Sequence, residues 1–248
     1  AEMANMLELY DLGGLPWHSA EMVHLLAEIW KRSYADRNAY LADTDFVDLP
    51  LQRMTSKAYA AERGADISER ATPSTDIGPG LGAPAEGENT THISVVDADG
   101  NAVAVTTTLN SFFGSKVTVA GAGFVLNNEM DDFTAKPGIP NQYGLVQGAN
   151  NAVAPGKRML SAMTPTLVLN PAGELFFVTG TPGGATIITT VFQTIVNVID
   201  YGMNVVQAVN APRIHHQHLP DQIRFEQGGL PPAVVSDLEA RGHTMSER

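Results

Sequence analysis

Thr90-Thr91-His92-Ile93-Ser94-Val95-Val96, then Asp97-Ala98-Asp99-Gly100-Asn101, then Ala102-Val103-Ala104-Val105-Thr106: two runs rich in β-branched residues flank a cluster of Asp, Gly and Asn, which predicts a β-hairpin. Directly upstream, from Ala71 to Asn89, the chain changes character. Pro73, Pro79 and Pro84 mix with Gly78, Gly80, Gly82 and Gly87, and only Ile77 and Leu81 are large and apolar. Such a composition predicts a flexible linker over 71–89. Thr90 therefore stands where a linker becomes a core strand.

Further upstream, Met22, Val23, Leu25, Leu26, Ile29 and Trp30 recur at a period near 3.6. With Ser19 placed to cap and Lys31-Arg32 late, they predict an amphipathic helix within His18 to Arg37. A shorter helix is expected from Ser56 to Arg63, stopped by Gly64 in a left-handed conformation. Downstream, strands are expected at Gly123 to Leu126, Thr166 to Leu169 and Leu175 to Thr179. An apolar helix is expected at Ala185 to Tyr201 and a terminal one at Pro232 to Arg241. Helices, then sheet, then long helices predict an α+β layered sandwich.

At 248 residues and 44% hydrophobic content the chain can bury a substantial core. The formal charge of -12 excludes nucleic acid as an expected partner, because phosphate binding needs clustered Lys and Arg, and both sides of Thr90 are acidic. Cysteine is absent, which excludes disulfides, thiolate metal sites and a cysteine nucleophile. No run approaches the ~18 apolar residues of a membrane span, and the first residues lack the basic and apolar regions of a signal peptide.

Read alone, Thr90 is an ordinary strand-start residue. The segment Ala85-Glu86-Gly87-Glu88-Asn89 running into it also has what self-cleavage requires. The Thr90 hydroxyl can attack the Asn89 carbonyl, and hydrolysis of the resulting ester leaves Thr90 with a free α-amine. That amine, with a reference pKa of roughly 7.7 to 8.0, can serve as the base for its own hydroxyl.

Several ordered stretches carry a resemblance to a known family. They are Thr90 to Asp97, Gly100 to Thr106, Leu126-Asn127-Asn128-Glu129-Met130-Asp131-Asp132-Phe133, Lys157-Arg158-Met159-Leu160-Ser161, Gly180-Thr181-Pro182-Gly183-Gly184, and Asn210-Ala211-Pro212-Arg213-Ile214-His215-His216. Together they resemble the γ-glutamyltransferase (glutathione hydrolase) family over most of 90–220, with residues 1–89 more loosely similar to the end of its large subunit. The resemblance implies an N-terminal-nucleophile (Ntn) hydrolase fold, a four-layer αββα sandwich left incomplete in this chain. It implies that 1–89 closes the large subunit and that 90–248 is a small catalytic subunit truncated at its C-terminus. Autocatalytic cleavage between Asn89 and Thr90 then makes Thr90 the nucleophile.

By the same resemblance Thr108 hydrogen-bonds the nucleophile, whereas Thr106 and Thr107 read as plain strand residues. Asn110, Glu129 and Asp132 hold the donor's α-ammonium, a task suited to acceptors because an ammonium offers three donors. Read alone, Asp131-Asp132 is a solvated turn. Ser161 binds the donor's α-carboxylate. The family's next serine is Ala162 here, one hydroxyl fewer for that carboxylate. Gly183 and Gly184 supply an oxyanion hole, and Pro137 to Tyr143 a lid with Tyr143 as its gate, although both stretches also read as simple turns. His215, His216 and His218 read as structural, and no metal or cofactor is expected.

The implied reaction passes a γ-glutamyl group from glutathione or a related donor to water or to an amino-acid or peptide amine. The two subunits of one precursor are the expected protein partners. Family members act in the periplasm or outside the cell. Two alternatives stay open. One is another acylase of this fold acting on glutaryl groups. The other is a truncated, non-catalytic relative, since no arginine can be assigned to the donor's α-carboxylate.

Overall fold

The computed structural model describes residues 1–78 and 90–248. Four helices come first: α1 (Glu2–Leu7), α2 (Ala20–Tyr40), α3 (Leu51–Met54) and α4 (Lys57–Gly64). After Thr90 follow β1 (Thr90–Val96), β2 (Ala102–Thr108), β3 (Thr166–Leu169), β4 (Leu175–Thr179), α5 (Ile187–Ile199) and α6 (Val205–Asn210). The chain continues through β5 (Ile214–His215), β6 (Ile223–Phe225), α7 (Pro232–Arg241) and β7 (Met245–Glu247). Among the described residues no helix is long and apolar enough to cross a membrane.

Helix α2 begins as expected, with the Ser19 hydroxyl accepting from Met22 N at 3.2 Å. The amphipathic reading is corrected by its surroundings, since every residue from Met22 to Asn38 is buried. Its charged residues tolerate this because they are paired. Glu28 accepts from Lys31 at 2.9 Å and from Arg32 at 2.7 Å, and Asp36 pairs with Arg63 at 2.9 Å. Removing one partner of such a set strands a buried charge, which makes the set costly to disturb.

Helix α4 starts one residue after the expected Ser56, whose hydroxyl caps it by accepting from Tyr59 N at 3.1 Å. Gly64 departs from expectation: it is the last helical residue, not a left-handed stop. A Cβ there would sit 3.1 Å from Leu9 Cδ1, so packing against the segment after α1 is what favours glycine.

The hairpin forms as read. β1 and β2 are antiparallel with Thr90 opposite Thr108 and Ile93 opposite Val105. The Asp97 carboxylate fastens the turn by accepting from the backbone N–H of Asp99 at 2.9 Å and of Asn101 at 2.8 Å. A second antiparallel hairpin joins β3 to β4, and β5, β6 and β7 make a three-stranded sheet. The strand expected at Gly123–Leu126 reduces to an isolated bridge between Thr118 and Val125. Gly121 and Gly123 have φ of 81° and 77°, which breaks the extended backbone a strand needs.

One apolar core spans both sides of Thr90, bringing Met6, Leu26, Trp30 and Tyr34 together with Leu145, Ala185, Ile214 and Leu238. Residues 71–78 are fastened to it. Ala71 N donates to Arg241 O at 2.9 Å, Ser74 N to the Asp221 carboxylate at 2.8 Å, and Ile77 is buried. The rest of the expected linker, residues 79–89, lies outside the described residues, and so does Asn89 of the expected cleavage bond. The hairpins leave Ile93, Val95, Val103, Val105, Leu167 and Phe176 exposed, as an unfinished sandwich would.

Candidate active site

The β1–β2 register decides the position of Thr90. Pairing the first residue of β1 with the last of β2 puts the Thr90 and Thr108 hydroxyl oxygens 3.3 Å apart. The Thr108 hydroxyl also accepts from Asn110 N at 2.9 Å. Asn110 is buried with φ of 73°, a conformation that non-glycine residues adopt mainly when the surroundings dictate it.

Thr90 and Thr108 border one pocket with Arg37, Asn110, Asp132, Tyr143, Ser161, Ala162 and Gly184. Segments far apart in sequence thus meet around one hydroxyl. Of the expected site residues, Glu129 and Gly183 do not line this pocket. Glu129 instead stands beside Asp132 on the turn Glu129–Asp132. Gly183 borders a larger cavity of ≈ 630 Å³ that is also lined by Thr179, Gly180, Arg213 and Phe225.

The turn at 179–183 is tightly specified. A Cβ on Gly180 would run into the His92 ring, and the ring is itself held by Thr106 Oγ1 at 2.8 Å and Ser94 Oγ at 2.9 Å. Gly183 and Gly184 have φ of 138° and 55°. The next carbonyl, of Ala185, accepts from the buried Tyr34 hydroxyl at 2.5 Å, so α2 braces the turn from behind.

Asp132 is pushed up to about 7, first by burial and then by the hydrogen bond and negative charge of Glu129, with Arg37 acting in the opposite direction. Burial also raises Glu129. Two carboxyls held together in a half-dry site are poised to take up a cation, because a bound ammonium would relieve both.

Tyr143 is buried, and its hydroxyl donates to Asn110 O at 2.8 Å and also approaches Asn110 Oδ1. Asp131 is more than a solvated turn: its carboxylate accepts from Gln142 N at 2.9 Å and ties the segment carrying Tyr143 to the acidic turn. The Ser161 hydroxyl accepts from Met163 N at 3.0 Å.

Arg37 is the pocket residue that sequence reading missed. It lies at the C-terminal end of α2, donating to Asn38 Oδ1 at 2.9 Å and to Ser161 O at 3.2 Å. Burial pulls its pKa down, while Tyr34 and Asp132 act to raise it. Its neighbours in the sequence resemble any helix end, so only the tertiary packing shows that it reaches the pocket.

The three histidines at and just after the end of β5 do not converge. His215 faces Thr189 and Gln217, His216 faces Asp221, and His218 faces Ser74 O. Among the described residues His24, Glu28 and His243 come close enough to share a metal ion. Their lone pairs are otherwise engaged: Lys31 and Arg32 hold the Glu28 oxygens, and His24 Nδ1 meets His243 Nε2 at 2.7 Å. Two cations at the one carboxylate make this group a poor host for a third.

The family model described as Gamma-glutamyltranspeptidase matches residues 1–248. The chain is 52% identical over 246 residues to the glutathione hydrolase proenzyme of Escherichia coli (strain K12), an overlap covering 99% of this chain and 42% of that protein. The crystal structure of a Helicobacter pylori gamma-glutamyltranspeptidase mutant is similar with a TM-score of 0.63 and 54% identity, over 64% of this chain and 84% of that one. Cephalosporin acylase from Bacillus halodurans is similar over 100% of this chain and 42% of that one, with a TM-score of 0.78. At 24% identity the acylase shows a shared fold alone. The chain spans about two fifths of the length of the first curated relatives it matches.

Proposed function

This chain belongs to the gamma-glutamyltranspeptidase family, and from that premise we propose that it carries the nucleophile-bearing part of an enzyme that moves γ-glutamyl groups. The observation that supports this most is the convergence of Thr90, Thr108, Asp132, Ser161 and Gly184 on one pocket.

In this reading residues 1–89 end a large subunit and 90–248 form most of a small one. The Thr90 hydroxyl attacks the Asn89 carbonyl, the C–N bond breaks, and water hydrolyses the ester so that Thr90 becomes a new N-terminus. The α-amine then takes the hydroxyl proton as Thr90 attacks the γ-carbonyl of glutathione or a related donor. Thr108 orients the nucleophile. The backbone at Gly184, with Gly183 behind it, stabilises the developing oxyanion. The leaving amine collects the proton, and a γ-glutamyl ester remains on Thr90. Water completes hydrolysis, or an amino-acid or peptide amine completes transfer.

Glu129, Asp132 and Asn110 receive the donor's α-ammonium, Ser161 receives its α-carboxylate, and Tyr143 closes the pocket. The reaction as drawn needs no cofactor. Family membership also supports action in the periplasm or outside the cell.

The test is intact-mass analysis of the full-length precursor alongside its Thr90→Ala variant. The parent should split with a new N-terminus at Thr90 and turn over a γ-glutamyl anilide, and the variant should do neither. A Thr90→Ala protein that still splits and still turns over that substrate would sink the proposal. Ala162 favours one second reading, a glutaryl acylase with a different demand on the carboxylate pocket. Comparing γ-glutamyl and glutaryl anilides separates the two.

A further inference from the structure

Tyr143 is held by its backbone as well as by its hydroxyl. Its carbonyl accepts from Gln217 Nε2 at 3.0 Å in a buried contact. The other end of the Gln217 amide is engaged too: Oε1 accepts from Arg224 Nη2 at 3.2 Å and faces His215 Nε2 at 2.9 Å. Beyond His215, Nδ1 meets the Thr189 hydroxyl at 2.6 Å on the first turn of α5.

The Gln217 amide sets the direction of the contacts around it. A glutamine oxygen only accepts, so His215 must carry its proton on Nε2, which leaves Nδ1 as an acceptor facing the Thr189 hydroxyl, whose oxygen also lies 3.0 Å from Thr186 O. The ring is buried and neutral in this scheme, and burial does lower its pKa. Donation therefore runs from His215 to Gln217 and from Gln217 to the main chain of Tyr143, with the Thr189 hydroxyl shared between His215 Nδ1 and Thr186 O. At the far end of the same residue the Tyr143 hydroxyl donates to Asn110 O, and the Asn110 N–H donates to the Thr108 hydroxyl.

From this chain we propose that Gln217, oriented by His215, is a positioning residue that fixes the Tyr143 segment over the donor pocket and couples it to the helix behind the Gly183–Gly184 turn. The proposal rests on the γ-glutamyl reading of the site. Gln217 touches no reacting atom; it acts through Tyr143. If this anchor is lost, ordering of the 134–148 segment is deferred until substrate binds, and the cost falls on binding and not on chemistry.

The test uses the full-length precursor with Gln217→Glu, which keeps an acceptor toward His215 and Arg224 but removes the donor to Tyr143. Loss of one buried hydrogen bond should raise KM for a γ-glutamyl anilide by roughly three- to tenfold while kcat changes less than about threefold. Limited proteolysis between residues 134 and 148 should accelerate by a similar factor. Thr189→Val, two links further back, should move both readouts in the same direction by less, and it serves as the measure if Gln217→Glu fails to mature. Parent-like KM and parent-like proteolysis in the variant overturn the proposal, as does a fall in kcat at unchanged KM. If the parent protein turns over no γ-glutamyl donor, the functional reading fails, and the proteolysis comparison still decides whether Gln217 anchors the segment.

Discussion

The hydroxyl oxygens of Thr90 and Thr108 lie 3.3 Å apart on the first rung of the β1–β2 ladder. The ladder fixes that distance, so it does not depend on a loop conformation. Thr108→Val keeps the β-branched shape the strand prefers and deletes only the hydroxyl. Turnover of a γ-glutamyl anilide should fall roughly 10- to 100-fold, the scale of a hydrogen bond to a developing charge. Thermal stability should move little, and intact mass will show whether maturation slows with it.

Asp132 sets a pH dependence. In the role proposed for it the form that receives the donor's ammonium is the carboxylate, and burial with Glu129 holds its pKa at about 7. As pH falls through that value the proton occupies the ammonium site, so kcat/KM should drop on the acid side of about 7. Bound donor favours the ionised form, so kcat at saturation should stay flatter. Asp132→Asn should abolish this limb and cost roughly 10-fold or more in kcat/KM for γ-glutamyl donors. A glutaryl anilide has the same carboxylate without the ammonium, and its turnover should be spared.

Ala162 borders the pocket next to Ser161. If Ser161 receives the donor's carboxylate as proposed, Ala162→Ser adds a second hydroxyl beside it, and KM should fall by up to about 10-fold with kcat nearly unchanged. An unchanged KM would mean that this carboxylate is bound elsewhere in the pocket.

Buried histidines make the protein acid-sensitive. Burial lowers His18, His215 and His216 to about 4 and His243 to about 3, while an unfolded histidine titrates near 6.5. Their contribution to stability is complete above pH ~6.5 and is lost as pH falls toward 4, because the unfolded chain takes up protons the folded one refuses. Calorimetry on the full-length protein should give a Tm that declines steadily between pH 7 and 4.5. A flat Tm over that window would contradict the assigned burial.

Local signals were legible and tertiary ones were not. The Ser19 cap, the helix starting near Ser56, the Asp97–Asn101 turn and the hairpin around it follow from residue type and spacing alone. Motif resemblance added Thr108, Asp132 and Ser161, all of which the structure gathers at Thr90. Arg37 and Gln217 escaped notice because a charged residue at a helix end, or a glutamine among histidines, has no local pattern. Only the fold puts Arg37 beside Ser161 and Gln217 beneath Tyr143. The short strands β5 to β7 were missed for a related reason, since segments of two or three residues are too brief to show alternation. The full burial of α2 is not readable from the sequence, because the partners that let Lys31 and Arg32 be buried are supplied in part by the fold.

Helix α2 lies before Thr90 in the chain, yet it fills the centre of the common core and lends Arg37 to the pocket. If the 89/90 bond is cut as proposed, a unimolecular fold becomes an obligate heterodimer whose stability depends on concentration. The two pieces share that core. Exchange of subunits between molecules would then require unfolding, so each mature enzyme should retain for life the partner it was translated with.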